Sequence, residues 1–452
     1  MAKDKAAKDK KASKKQAGTK AVAARGEQTS VMSAADLADL PDDILLEAVQ
    51  RQTFRFFWEG AEPVSGMARD RTMRTADPDN DLVATGGTGF GIMAMIVAVE
   101  RGWITRSEGL ARLTQIITII EPTTCFHGVY SHFMHGRTGA VWPFSRKDDG
   151  GDLVETAFLF QGLLCAREYF DADNADAGET RLRQRITGLW GQIEWNWYTQ
   201  DRKALYWHWS PNNGFVLDHE IHGWNECLIA MVMAVSAPRY PIDPAIYHRS
   251  FVASHDYGAP RSYYDIELPI GPDRGGPLFW AHYSFLGLDP HGLRDNYADY
   301  WQQNTAHTLI NYKHCVLNPH GHAGYGPDCW GLTASDDPAG YDAHMPSHDN
   351  GVISPTAALS SFPYTPDKAM AALRHFLRKY GDKVWGRFGF VDAFCEEKDW
   401  FAETYLSIDQ GPIIVMIENY RTGLLWKLFM RIPEIQQGLR KLGFSSPHLD
   451  QV

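Results

Sequence analysis

Helical periodicity runs through residues 34–452 with no Pro/Gly-rich linker to divide it, and this continuity is the tightest constraint on the fold. The segment PDDILLEAVQRQTFRFFWEGA places Pro41 and two acids at the head of an apolar stripe, which is how a helix begins. Helices are expected at 42–60, 87–101, 105–120, 152–170, 178–197, 220–237, 243–254, 294–316, 352–361, 366–380, 410–421 and 424–441. Strand signals are weak and confined to loops, such as Tyr206–Trp209 and Phe388–Val391. About twelve helices in one block make six helical hairpins, so the expected fold is an all-α, single-domain (α/α)6 toroid with a cavity ringed by its inner helices. A solenoid is the rival, but no fixed-period repeat is visible. The stretches 121–151, 198–219, 255–293, 317–351 and 386–409 exceed ordinary connection lengths, and loops that long usually carry function.

Charge is unevenly placed. Residues 1–26 hold eight Lys, one Arg and two Asp, so this tail carries +7 and the rest of the chain −18. The Lys/Ala-rich tail, residues 1–33, is expected to be disordered. An acidic body argues against a nucleic-acid partner. The longest apolar runs, Ile92–Val99 and Leu228–Ala237, are too short to span a bilayer. No apolar secretory region follows the N-terminus and the six Cys form no C-x-x-C pair, so a cytoplasmic protein with reduced thiols is expected. The glycines of TGGTGFG (85–91) mimic a phosphate loop, but no Lys-Ser/Thr follows them. A G-x-S-x-G nucleophile elbow is also missing.

The loops and helix starts concentrate carboxylates and aromatics. KDDGGDLVETAFLFQGLLCAREYF (147–170) runs from an acidic loop into an apolar helix, with Asp152 and Glu155 three apart on one face and Asp148 just upstream. Each acid can equally be an ordinary first-turn or capping residue. Trp142 precedes them. LYWHWSPNNGFVLDHEIHGWNE (205–226) sets Trp207, Trp209 and Trp224 around Asp218, Glu220 and Glu226. Residues 317–351 bring Trp330, Asp336, Asp337, His344, His348 and Asp349 into a Gly/Pro-rich stretch. In WFAETYLSIDQG, Trp400 leads to Asp409 at a loop-to-helix junction. Aromatic faces stack on sugar C–H faces, and paired carboxyls can protonate a glycosidic oxygen and activate water. His219 and His222 are three apart where a zinc helix motif needs four, and His344/His348 match no standard zinc pattern, so neither a metal nor a cofactor is expected.

TFRFFWEGAEPVSGMARDRT, GGTGFGIMAMIVAVERGWI, GDLVETAFLFQGLL, IHGWNECLIAMVMAVSAPRYPI, GYGPDCWGLTASDDP, MPSHDNGVISPTAALSSFPYTPDKAM and YLSIDQGPIIVMIENYRTGLLWKLF occur in order across residues 45–443. Together they resemble the glycoamylase-like proteins of glycoside hydrolase family 144, the bacterial endo-β-1,2-glucanases. That resemblance implies cleavage of β-1,2-glucan to sophorooligosaccharides with inversion at the anomeric carbon. It implies Glu220 as general acid and Asp409 as general base, and it places Asp148, Asp152 and Glu155 at the sugar subsite of scission. In a related fungal family the proton passes through a substrate hydroxyl or a water. With Arg71 and the six Trp as sugar-binding candidates, the expected partner is a β-glucan or oligosaccharide. Three rivals remain: an exo-acting sophorose-releasing hydrolase or one for another β-glucan, a non-catalytic sugar-binding protein, and a ring-closing transglycosylase.

Overall fold

The computed structural model describes residues 33–171 and 177–449. The expected disorder of the tail falls almost wholly outside these residues. The fold is mainly helical. Its long helices are Asp42–Trp58, Thr85–Glu100, Arg106–Ile120, Leu153–Tyr169, Ala177–Trp190, Tyr300–Leu317, Pro366–Val384 and Ser407–Thr422. Local chemistry sets several of their ends. Thr105 and Glu108 close a reciprocal capping box, Asp299 caps Trp301 and Gln302, and Asn318 in the left-handed region ends the helix before it.

The expectation of an all-α chain needs correction. Among the described residues the loops contain eight small antiparallel sheets, mostly two-stranded ribbons. The two strand segments foreseen are real: Leu205–Tyr206 and His208–Trp209 pair with Glu220–Ile221 and Gly151–Asp152, and Gly389–Phe390 pairs with Trp385–Gly386. Residues 220–221 are therefore strand, and the expected 220–237 helix starts only at Leu228. The expected 243–254 helix reduces to one π turn, Tyr247–Phe251. The expected 424–441 helix splits into Leu424–Met430 and Pro433–Lys441, because Pro433 has no N–H to continue the first ladder.

One apolar cluster reaches from Ala38 to Leu449. At its centre the 85–100 helix crosses the 153–169 helix, and Gly89, from the stretch that mimics a phosphate loop, makes this crossing possible together with Gly162. A Cβ on Gly89 would lie 2.1 Å from the Phe158 carbonyl oxygen, and one on Gly162 2.1 Å from that of Gly89. The two backbones touch, so only hydrogen fits at either position. The 407–422 helix packs against both the 42–58 and the 85–100 helices, bringing the last third of the chain back onto the first. Among the described residues no helix is long and apolar enough to cross a membrane.

Candidate active site

Two groups of acids are held by the helix starts and the ribbons around them. The first is built on Asp152. Its strand pairs with His208–Trp209, and its side chain caps the 153–169 helix by accepting from the Val154 and Glu155 N–H groups at 3.0 and 2.9 Å. Trp207 Nε1 donates to the same carboxylate at 3.0 Å, and His132 Nδ1 lies 2.9 Å from its other oxygen. The capping and site readings of this acid are thus both correct. Burial alone would raise the Asp152 pKa, but the hydrogen bond from His132 and the charge of His208 hold it below the usual range. Glu155 behaves in the opposite way. Its Oε2 accepts from the Gly86 N–H of the neighbouring helix at 2.6 Å, yet burial pushes its pKa up to about 7. Burial works against a charged His132, but Glu155, Asp152 and Asp148 outweigh it and bring that pKa up to about 9. Asp148 sits 3.3 Å from His208 Nδ1. Glu226 adds a further carboxyl pushed by burial up to about 7, with smaller contributions from Asp152 and Glu155.

The second group faces it across a cavity of about 440 Å³, bounded by Asp70, Arg71, His132, Glu155, Tyr341 and Ser407. The strand Arg71–Met73 pairs with Thr404–Leu406 and delivers Arg71 beside the start of the 407–422 helix. Arg71 bridges Asp70 and Asp336, each at 3.1 Å. The Asp336 backbone N–H donates to Asp392 at 2.7 Å. Asp409, in the helix's first turn, does not cap it: the cap position is Leu406 and no side chain fills it. Burial first, and then the neighbouring Asp392, push Asp409 well above the usual carboxylate range; burial and Asp336 raise Asp392 as well. Each of these buried carboxyls makes it harder for the other to ionise. Phe144, exposed and ring-to-ring with His132 at 4.7 Å and Phe133 at 5.7 Å, forms an apolar rim with Tyr341. Neither rim residue was among the sequence candidates; the signal for Phe144 was its place in the long stretch 121–151, two residues after Trp142.

Of the sequence candidates, Arg71 and Glu155 line this cavity; Asp152 is tied to its wall through His132, Trp207 and Asp148 stand behind Asp152, and Asp409 lies in the first turn of the helix whose start borders it. Glu220 stands apart. It lies across the ribbon from Tyr206, whose hydroxyl donates to it at 2.7 Å, and it lines a separate surface groove with Arg202 and His222. Side chains alternate along a strand: His219, next to it, stacks on Trp207 at 4.8 Å on the side of Asp152, so Glu220 points the other way. Two sugar-stacking candidates are corrected. Trp224 and Trp330 are 1% and 0% exposed, because both are large apolar surfaces that the core absorbs. Trp209 belongs to an aromatic cluster with Phe126, His127 and Trp197. Trp142 packs on His135, and Trp400 covers the small core of Val352, Ala393 and Cys395.

A pH effect on stability follows from Glu155. A carboxyl whose folded pKa is raised stabilises the fold fully below its unfolded value and loses that contribution as pH rises through about 7. Gln cannot ionise. The difference in Tm between Glu155→Gln and the parent is therefore expected to move in the variant's favour as pH rises from about 5 to about 8, in a scanning calorimetry series. A constant difference would contradict the raised pKa.

The Glycoamylase family, described as "Putative glucoamylase", matches residues 218–433. An endo-β-1,2-glucanase from Chitinophaga pinensis, whose structure holds sophorotriose and glucose, is 49% identical over 91% of this chain and 100% of that one, with a TM-score of 0.88. A β-1,2-glucanase from Parabacteroides distasonis is 45% identical over 89% of this chain and 60% of that one, with a TM-score of 0.85. A curated relative from the same species, an exo β-1,2-glucooligosaccharide sophorohydrolase acting at the non-reducing end, is 46% identical over 425 residues and 89% of this chain. This chain spans 58% of that relative's length. An acid-lined cavity on a helical scaffold with these relatives defines a glycoside-hydrolase class, and the chain belongs to the glycoamylase family. Within it, the chain falls in the family-144-like group of β-1,2-glucan hydrolases.

Proposed function

We propose that the protein hydrolyses β-1,2-glucan within the chain, releasing sophorooligosaccharides with inversion. One observation carries the reading: a cavity with an apolar aromatic rim is lined by Glu155 and His132, which belong with Asp152, and by Arg71, Asp70 and the start of the helix that carries Asp409 beside Asp392. Two crowded carboxyls favour a state in which one is protonated and the other ionised, and the ionised member can accept a proton from water. Arg71, fixed between Asp70 and Asp336, offers fork-shaped donors to sugar hydroxyls.

In this reading the Asp392–Asp409 pair takes the proton from the attacking water, and Glu220 gives one to the leaving oxygen. Glu220 lies outside the acid ring, which suits a proton passed through a substrate hydroxyl better than direct donation. Asp152, Glu155 and Asp148 hold the sugar at the point of scission, and His132 and Trp207 keep Asp152 ionised and oriented. The helices close as an (α/α)6 toroid, a reading supported by the packing of the 407–422 helix on the two early helices.

Endo action is supported by the Chitinophaga enzyme, which this chain covers in full. The Parabacteroides sophorohydrolase favours a second reading, release of sophorose from the non-reducing end. Linear β-1,2-glucan decides between them: a ladder of oligosaccharides in the first minutes is expected, and sophorose as the only early product would select the exo reading. Inhibition of cleavage is not enough to test stereochemistry. The new reducing ends should appear first as the α-anomer by proton NMR, because the proposed acid and base come from separate elements and act on opposite sides of the bond, as inversion requires. Initial β-product would mean retention and would make Asp152 or Glu155 the nucleophile candidate.

A further inference from the structure

The C-terminal end of the 300–317 helix and the loop after it carry a histidine cluster outside the acid cavity. His314 Nε2 lies 3.0 Å from Asp349 Oδ2, His320 Nε2 3.5 Å from Asp349 Oδ1, and His322 Nε2 3.5 Å from Asp349 Oδ2. The ligand atoms of His314, His320 and Asp349 all lie within 4.8 Å of one another. We propose that His314, His320, His322 and Asp349 form a binding site for one divalent zinc ion.

Three features favour a metal over a simple hydrogen-bonded cluster. First, the spacing of His314, His320 and Asp349 fits, and His322, which reaches Asp349 but lies outside that group, completes the set by a turn of its ring. Zinc–ligand bonds of about 2.0–2.1 Å arranged tetrahedrally put ligand atoms roughly 3.3 Å apart, and the three His–Asp separations fall on either side of this length. Second, the outer ring nitrogens are already engaged. His314 Nδ1 lies 2.9 Å from the Tyr264 hydroxyl, and His322 Nδ1 lies 3.1 Å from Glu397 Oε2. A metal-binding imidazole is normally oriented by such a bond at its other nitrogen. Third, His322 Nε2 is buried and makes no hydrogen bond among the described residues, while it points at Asp349, itself 3% exposed. A buried ring nitrogen left without a partner is costly unless something binds it. Three imidazoles and one carboxylate are a zinc donor set rather than one for magnesium or calcium, which take oxygen ligands.

The loop is pre-shaped for this role. The Asn318 side chain accepts from the His322 N–H and donates to the His322 carbonyl, each at 2.8 Å, closing the turn that carries His320 and His322. The ion would tie that turn to the segment around Asp349. The next residue, Asn350, donates to Asp337 at 3.1 Å, at the turn end of the hairpin that holds Asp336. The site is therefore a structural clamp behind one wall of the acid cavity.

The full chain, freed of any affinity tag and purified without chelator, is the sample. Elemental analysis should give about one zinc per chain, and Co²⁺ exchanged into the stripped protein should show the intense visible bands of a four-coordinate nitrogen site. Stripping should lower Tm and adding back ZnCl₂ should restore it. His320 is 58% exposed, so His320→Ala should fold normally while losing most of the zinc; His322→Ala should lose it too. Less than about a tenth of an equivalent of zinc, with no calorimetric binding of ZnCl₂, would overturn the proposal. So would full loading of the His320→Ala/His322→Ala double variant, which would put the ion elsewhere, such as at Asp148, Asp152 and His208.

Discussion

Asp409→Asn is expected to lower kcat on linear β-1,2-glucan by about 10²–10⁴-fold, with Tm close to that of the parent, because the amide can no longer accept the proton of the attacking water. Its carboxyl is buried beside Asp392 and has an oxygen without a hydrogen-bond partner among the described residues, so it is held for something other than capping. Glu220→Gln is expected to lose at least about a hundredfold in kcat, even though its side chain sits on the outer face of the ribbon. Glu155→Gln is the decisive companion. Glu155 has the raised pKa a proton donor needs, and it borders the cavity directly. If Glu220→Gln turned over near normally and Glu155→Gln were inactive, Glu155 would be the acid and the relay reading would fall. Single-turnover rates, with folding checked by circular dichroism, separate these outcomes.

The second large effect is on stability. Gly89→Ala and Gly162→Ala each place a methyl group 2.1 Å from a backbone carbonyl oxygen, and neither carbonyl can swing aside as a side chain could. Overpacking of this kind costs about 1–3 kcal/mol and sometimes more. Alanine's better helix propensity offsets at most about 1 kcal/mol. Both variants should therefore unfold at lower urea concentration than the parent. Gly188→Ala is the control. It lies on the exposed face of the 177–190 helix with nothing within 4 Å of the added methyl, so it should be neutral or stabilising by up to about 1 kcal/mol. Equal effects at all three positions would show that propensity, not the backbone contact, sets these glycines.

Most of the helices were legible in the sequence because their apolar stripes and caps are local. The 42–58, 106–120 and 407–422 helices start and stop within a few residues of where their patterns place them. The errors are local conflicts. Leu228–Ser236 is apolar all round, so its pattern runs back into 220–227 without a visible start, while the tertiary ribbon takes Glu220–Ile221 as strand. Asp152 was legible as a cap and as a site residue because one loop-to-helix junction supplies both roles. Trp224 and Trp330 were misread because an aromatic in a polar loop looks the same whether it faces sugar or core.

The chain by itself determined the helical class, the long functional loops and the acids at helix starts, because each depends on residues a turn or two apart. Family membership was equally legible, since it rests on motifs in order. Only the tertiary structure decided which acids meet. Asp392 and Asp409 are seventeen residues apart in sequence, yet each raises the other's pKa because the segments that carry them converge in the fold. Glu220 turns outward because strand register, a property of paired segments, fixes its face. Gly86 and Gly89 of TGGTGFG are explained by a helix about 70 residues further on, Gly87 by Ser407 and Gly91 by Phe57, and His314, His320 and Asp349 come together only after the chain has folded back on itself. Contacts between distant segments depend on the path of the chain, and that path is set by packing rather than by spacing.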